Sequence, residues 1–342
     1  MFGPNPAPRR TPGGVVGALV ALTIAAGCGG AASTTASPSP GQKTALQVSY
    51  SEVIPDEWAP WAAADGGIYA KHGLDVTLQS ISSANGVAAL LSGQVQFAQL
   101  GGSEVLSADA SGGDIVIVAA LVPVFPYVFI TAPAVASIAD LKGKKVGVSK
   151  VGGSADIATR VALTKNGLDP TKDVSIIETG SAANRVAALR SGAIQGGVSQ
   201  PPESTTLQAQ GYHAVYDMAK EKLPAANTVV AVTGTYLRAN KQVVQDYVDS
   251  LVESIARLKK DRVFAEQVLT HWEKVTDKTL LDSTYAFYTQ EVFTTYPEPQ
   301  KSQYTATIQA LSGTNPKLAT FSVSKALNVS FVQSAMSRKV GG

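Results

Sequence analysis

The chain has 342 residues, 28 Lys and Arg against 26 Asp and Glu, a formal net charge of +2 and a single cysteine. Basic residues spread along a nearly neutral chain exclude the electrostatic footprint of a nucleic-acid-binding protein, and one cysteine excludes a disulfide framework. The length suits two domains that together bury roughly three quarters of their unfolded surface.

In chain order, Arg9 and Arg10 precede an uncharged, apolar stretch from Val15 to Ala26 that runs into Ala25-Ala26-Gly27-Cys28. This is a charged n-region, an h-region and a small-residue cleavage site. At about 12 residues the apolar run is well short of the ~20 that span a bilayer. Small residues before Cys28 resemble the bacterial lipobox, with Ala25 where leucine is commonest. The resemblance implies that residues 1–27 are a signal peptide and that Cys28 is lipidated as the new N-terminus. Ordinary cleavage nearby, leaving Cys28 a free thiol, is the alternative. Two acyl chains, at about 0.8 kcal/mol per buried CH₂, anchor firmly where one does not. Gly29 to Lys43 is a Gly/Ala/Ser/Thr/Pro tract with the composition of a flexible tether. Residues 28–44 are therefore expected to hold a folded part, starting near Thr44, at the outer face of the cell membrane.

Strand-like runs follow at 46–50, 75–79, 95–99 and 114–121, and again at 145–149, 174–177, 193–198 and 213–216, with room for a helix in each gap. Such βα alternation predicts an α/β fold with two successive parallel sheets flanked by helices. Asn85 opens NGVAALLSGQVQF and Asn184, 99 positions later, opens NRVAALRSGAIQG, with eight of thirteen positions identical. Each copy reads as a helix, a Ser-Gly stop and a strand; ordinary α/β units can also produce such runs. Thr228–Tyr236 is a further β-branched strand, and the rest is mostly helical, with candidates at 240–259, 263–273 and 279–291. That helical layer is expected to pack on the first lobe, so the chain crosses between lobes near 122–130 and 227–232. The expected division is 45–124 plus 232–342 for lobe 1 and 125–231 for lobe 2.

Three stretches carry a family resemblance: WAAADGGIYAKHGLDVTLQ (61–79), ALLSGQVQFAQLGGSEVLSADASGGD (89–114) and IADLKGKKVGVSKVGGSADIATRVALTKNGLD (138–169). The most specific is Asp140-Leu141-Lys142-Gly143-Lys144 opening a strand. Together they resemble the solute-binding proteins of ABC importers, in the two-lobed family of nitrate, aliphatic sulfonate, taurine and thiamine-pyrimidine binders. The resemblance implies a type II periplasmic-binding-protein fold, each lobe a mostly parallel sheet, joined by two hinge crossings. It implies a monomer without cofactor that captures a small anionic or zwitterionic ligand, such as a sulfonate, nitrate or taurine-like molecule, and delivers it to a membrane permease. Gln96 and Gln195 stand where the family usually has aspartate, a position expected to be structural.

Ligands of open α/β sheets bind beyond the carboxyl ends of the strands. Gly101-Gly102-Ser103-Glu104 and Gly152-Gly153-Ser154-Ala155-Asp156 follow such ends in opposite halves. Their glycines allow close backbone approach, and their serines can cap a helix or donate a hydroxyl. Two facing helix N-termini would suit an anion; a plain tight turn would look the same. In the loop 51–61, Trp58 is a candidate stacking platform and Trp61 a core residue. Gln200 and Asn227, with Phe125 and Tyr127, are ligand or hinge candidates. Glu52, Asp56 and Glu57 in that loop cut against an anion and leave room for an amine, a zwitterion or an aromatic heterocycle.

His72, His213 and His271 are scattered, and neither a His-Glu-x-x-His run nor a phosphate-binding loop occurs, so no metal, cofactor or catalytic apparatus is expected. Gly197-Val198-Ser199-Gln200-Pro201 lacks the second glycine of a nucleophile elbow. Two rivals share the fold. A pyrimidine-synthase-like enzyme would need a cysteine-rich stretch, and a ligand-sensing lipoprotein serving a membrane receptor would share every feature.

Overall fold

The near-continuous apolar runs IVIVAALV and TVVAVT become strands buried on both faces, as parallel-rich sheets require. A computed structural model describes residues 43–342; residues 1–42, with the expected signal segment and Cys28, lie outside them. In the first lobe β1 (Thr44–Tyr50) leads to α1 (Trp58–Asp65), α2 (Ile68–Lys71), β2 (Leu74–Ser80), α3 (Ser83–Leu91), β3 (Phe97–Leu100), α4 (Gly102–Ala110) and β4 (Ile115–Val124). The second lobe holds β5 (Val128–Thr131), β6 (Lys145–Val148), α5 (Ser154–Lys165), β7 (Ser175–Glu178), α6 (Ala182–Arg190), β8 (Gly196–Ser199), α7 (Glu203–Ala209) and β9 (His213–Asp217). The chain returns through β10 (Pro224–Thr233) and then α8 (Gly234–Ala239), α9 (Lys241–Lys260), α10 (Arg262–Glu273), α11 (Lys278–Ala286), α12 (Thr305–Leu311), α13 (Lys317–Thr320) and α14 (Ser330–Ser337).

The sheet orders are β2-β1-β3-β10-β4 and β7-β6-β8-β5-β9. β1 runs parallel to β2 and β3, with Val48 opposite Leu78 and Phe97, and β6 runs parallel to β7 and β8. β10 is antiparallel to both its neighbours, and so is β5. Each lobe is thus a mostly parallel sheet with one reversed strand in fourth place, which is the expected architecture.

Two expectations change. Val128, Phe129 and Ile130, placed in a hinge crossing from sequence, begin the buried strand β5, which ends at Thr131; so short a run cannot show a period. Residues 224–231, assigned to the second lobe, belong to the first, because β10 pairs with β4 from Pro224 opposite Val124 to Thr233 opposite Ile115. The stretch Pro224-Ala-Ala-Asn has no β-branched residue to announce a strand, and its partner supplies the order instead. The crossings are therefore 125–127 and 218–223.

The 99-residue repeat is structural. α3 and β3 map onto α6 and β8 at both ends with that offset. The stop glycines Gly93 and Gly192 both adopt left-handed backbone, φ +77° and +75°, as a helix C-terminus calls for. Gln96 Oε1 accepts from Gln47 N (2.8 Å) and Gln195 Oε1 accepts from Lys145 N (3.1 Å), each bonding its lobe's first parallel strand, β1 at its middle and β6 at its first residue.

α9 buries Val244, Tyr247, Val248, Leu251, Val252, Ile255 and Leu258 along one face at helical spacing and packs on α1 and α14, so this helical layer covers the first lobe. Trp61 lies in that core, stacked on Trp272 at 5.3 Å. A second core runs through the hinge and includes Phe125, Tyr127 and Phe129. No helix among the described residues is long and apolar enough to cross a membrane.

Candidate functional site

The strands point their carboxyl ends into the gap between the lobes, and there lies a cleft of about 580 Å³, within the roughly 300–1,000 Å³ of small-ligand sites. The loop after β1 contributes Ser51 to Ile54, and the β3 loop contributes Gly101 and Glu104. From the other lobe come Ser149 and Lys150 after β6 and Gly180 to Ala183 after β7. Tyr127 and Asn227 close the hinge side.

Of the residues expected at a ligand, Gly101, Gly153, Ser154 and Asn227 line this cleft. Ser103 and Gly152 face an adjoining groove beside Leu311 and Thr314, and Gly102 packs against Ala226 and Tyr304. Trp58 is a correction. A short turn at Pro55–Glu57 precedes it and α1 starts on it, which turns its ring inward, fully buried beside Tyr288 (6.2 Å) and Phe293 (6.3 Å). Gln200 is buried as well, away from the cleft, and its carbonyl accepts Ser204 N at the start of α7. Lys150, Glu178 and Glu203 went unread, although Lys150 follows the carboxyl end of β6 and Glu178 is the last residue of β7, where the same rule would have found them.

The lining is acidic. Glu52, Asp56, Glu104, Glu178 and Glu203 stand in it with Lys150, the one basic side chain among the described lining residues. Burial pushes Asp56 up to about 7, although Asn227 Nδ2 (2.6 Å), Thr228 Oγ1 (3.4 Å) and the Tyr288 hydroxyl all donate to it. Glu57, just beneath, rises to about 8 for the same reason despite accepting from Ser51 N (3.2 Å) and Oγ (2.9 Å). Burial also raises Glu104 and Glu203 above the ordinary carboxylate range.

Two hydrogen bonds join the lobes at the cleft. Glu52 Oε2 accepts from Ala182 N at the start of α6 (3.1 Å), and Ser154 Oγ donates to the Asn227 carbonyl (3.1 Å). Ser103 Oγ donates to Glu104 (2.7 Å). Both serine hydroxyls are thereby engaged within the protein. A Cβ on Gly101 would lie 2.3 Å from Glu104 Oε2 and 2.8 Å from Ser154 Oγ, so any larger residue here would displace the side chains with which the two loops meet.

Among the curated proteins no match was found. Solved structures with the same fold include the alkanesulfonate-binding protein SsuA of Xanthomonas axonopodis pv. citri bound to MOPS, 19% identical, with 86% of this chain and 98% of that one covered at a TM-score of 0.65. The periplasmic aliphatic sulphonate binding protein SsuA of Escherichia coli is 18% identical over 80% and 94% of the chains, TM-score 0.64. The periplasmic nitrate-binding protein NrtA of Synechocystis PCC 6803 is 16% identical over 87% and 89%, TM-score 0.68. These likenesses establish the two-lobed periplasmic-binding-protein fold. The family described as NMT1/THI5 like matches residues 57–262, more than half of the sequence, and the chain belongs to that family.

Proposed function

We propose that this protein is the extracytoplasmic solute-binding component of an ABC importer, which captures a small solute between its lobes and hands it to a membrane permease. The interlobe cleft carries the reading: both lobes present strand carboxyl ends to it, and each lobe already bonds the other across it. A solute touching both walls favours the closed form, and a permease can recognise that form. Micromolar capture needs only about 8 kcal/mol. The sulfonate- and nitrate-binding proteins of this fold place sulfonates and nitrate on the panel of candidate solutes.

The lipobox-like Ala25-Ala26-Gly27-Cys28 supports an anchor through Cys28 on a tether that keeps the protein within reach of its permease. Mass spectrometry of the mature N-terminus tests it, since an unmodified first residue other than Cys28 would remove the anchor. For binding, isothermal titration of the full chain with a panel of sulfonates, nitrate, taurine and amines is expected to give one saturable site that Asn227→Ala weakens. If every hit binds Asn227→Ala as tightly as the wild type, the cleft is not the site.

A further inference from the structure

A helix N-terminus is a ready-made site for an anion, and here those positions are taken. Glu104 stands in the first turn of α4 and accepts from Ser103 Oγ. Asp156 stands in the first turn of α5, accepting from Gly152 N (2.8 Å) and pairing with Arg160. Glu52 reaches across from the other lobe to the first N–H of α6. The protein's own carboxylates already occupy the favourable end of each of these three helix dipoles. An added anion would meet five lining carboxyl groups, against Lys150 in the lining and, behind it, the buried Arg185 guanidinium, which donates to Ser149 Oγ and whose charge is already shared with Glu52 and Glu203.

What the cleft offers is acceptors. Asn227 lines it, is 5% exposed, and donates through Nδ2 to Asp56, while its Oδ1 has no partner. Leaving such a buried acceptor unmet costs about 1–3 kcal/mol, so a solute that brings an N–H donor to Asn227 Oδ1 recovers that cost. Glu273, behind the lining, has a buried Oε1 with no partner either, and the charges of Glu203 and Asp56 act on it. An ammonium or amidinium has donors and no acceptor, the complement of this lining. Val53, Ile54 and Ala155 give the rest of the solute an apolar wall. Among the described residues no three His, Cys, Asp or Glu side chains gather as a bound metal would need, which places the positive charge on an organic body.

We propose that the solute carries a cationic nitrogen group, an ammonium or amidinium on a small apolar body, held by Glu104, Asp56 and the free carboxamide oxygen of Asn227. This rests on the reading that a solute binds between the lobes. Burial has pushed Asp56 toward its neutral form, and Glu104 in the same direction despite the charge of Lys150, and an arriving cation reverses that.

The test is titration calorimetry of the full chain with 1,4-diaminobutane, agmatine and butylammonium, against butanesulfonate and nitrate. At least one cationic probe is expected to bind saturably. Glu104→Gln, a near-isosteric change, weakens it by about tenfold or more, as for other hydrogen bonds to charge. Lys150→Ala strengthens it several-fold; for an anionic ligand the same change would weaken binding, so the sign reports the charge of the solute. If butanesulfonate or nitrate binds, weakened by Lys150→Ala, while no cationic probe does, the cationic assignment is overturned and the solute-binding reading stands. If a cationic probe binds without responding to Glu104→Gln, Lys150→Ala or Asn227→Ala, the cleft is not the site and both readings fall. If no probe of either charge binds, the cationic proposal is overturned.

Discussion

Asp56 in the cleft floor and Glu57 beneath it are buried acids, with Glu52, Tyr127, Tyr288, Asn227, Thr228 and Glu273 around them. A carboxyl whose folded pKa lies above its unfolded one contributes most stability at low pH. That contribution is lost as pH rises from the unfolded value, at up to about 1.4 kcal/mol per pH unit, until the folded group ionises. For Asp56 the window runs from the ordinary carboxylate range to about 7, and for Glu57 to about 8. Asp56→Asn is therefore expected to gain on the wild type between pH 5 and pH 8 by a few kcal/mol in urea unfolding, and an unchanged gap would mean that Asp56 is ionised throughout. Gly101→Ala should cost about 1–3 kcal/mol, the usual range for overpacking, with a matching fall in melting temperature. At this scale the sequence named the acidic loop and the glycine pairs, but Trp58 looked like a stacking surface because its inward turn depends on Tyr288 and Phe293, more than 200 positions away.

The paired units α3-β3 and α6-β8 explain how one helix-stop-strand segment serves both lobes. In each, a glutamine side chain returns to the first parallel strand of its lobe, so the bond joins strands about 50 positions apart. Gln96→Ala and Gln195→Ala are each expected to cost about 1 kcal/mol, the net worth of a typical hydrogen bond. Because the two sites lie in separate lobes, the double variant should be additive within about 0.5 kcal/mol, as denaturant melts of the four proteins would show. The helices were legible from their 3.6-residue period: the candidate at 240–259 is α9, and that at 263–273 is α10. β5 and the first half of β10 were not, since strand order there comes from neighbours and not from the local run.

At the scale of the whole molecule, the lobes close on Glu52 with Ala182 and Ser154 with Asn227, and Lys222 in the second crossing donates to the Gln290 (3.0 Å) and Glu291 (2.8 Å) carbonyls. A hydrogen bond to a charged group is worth about 1.5–3 kcal/mol, enough to move an open-to-closed ratio by roughly tenfold or more. Glu52→Ala should therefore enlarge the radius of gyration of the ligand-free protein in small-angle scattering; an unchanged value would mean that the α6 contact does not hold the lobes. The sequence by itself determined the two α/β halves, the repeat, the helical layer and the family, because periodicity and glycine stops are local and survive without partners. Tertiary structure alone decided the lobe of β10, the burial of Trp58 and Gln200, and the gathering of Glu52, Asp56, Glu104, Glu178 and Glu203 around one cleft. Those carboxylates come from four separate segments, and no local pattern records that the fold turns them toward the same space.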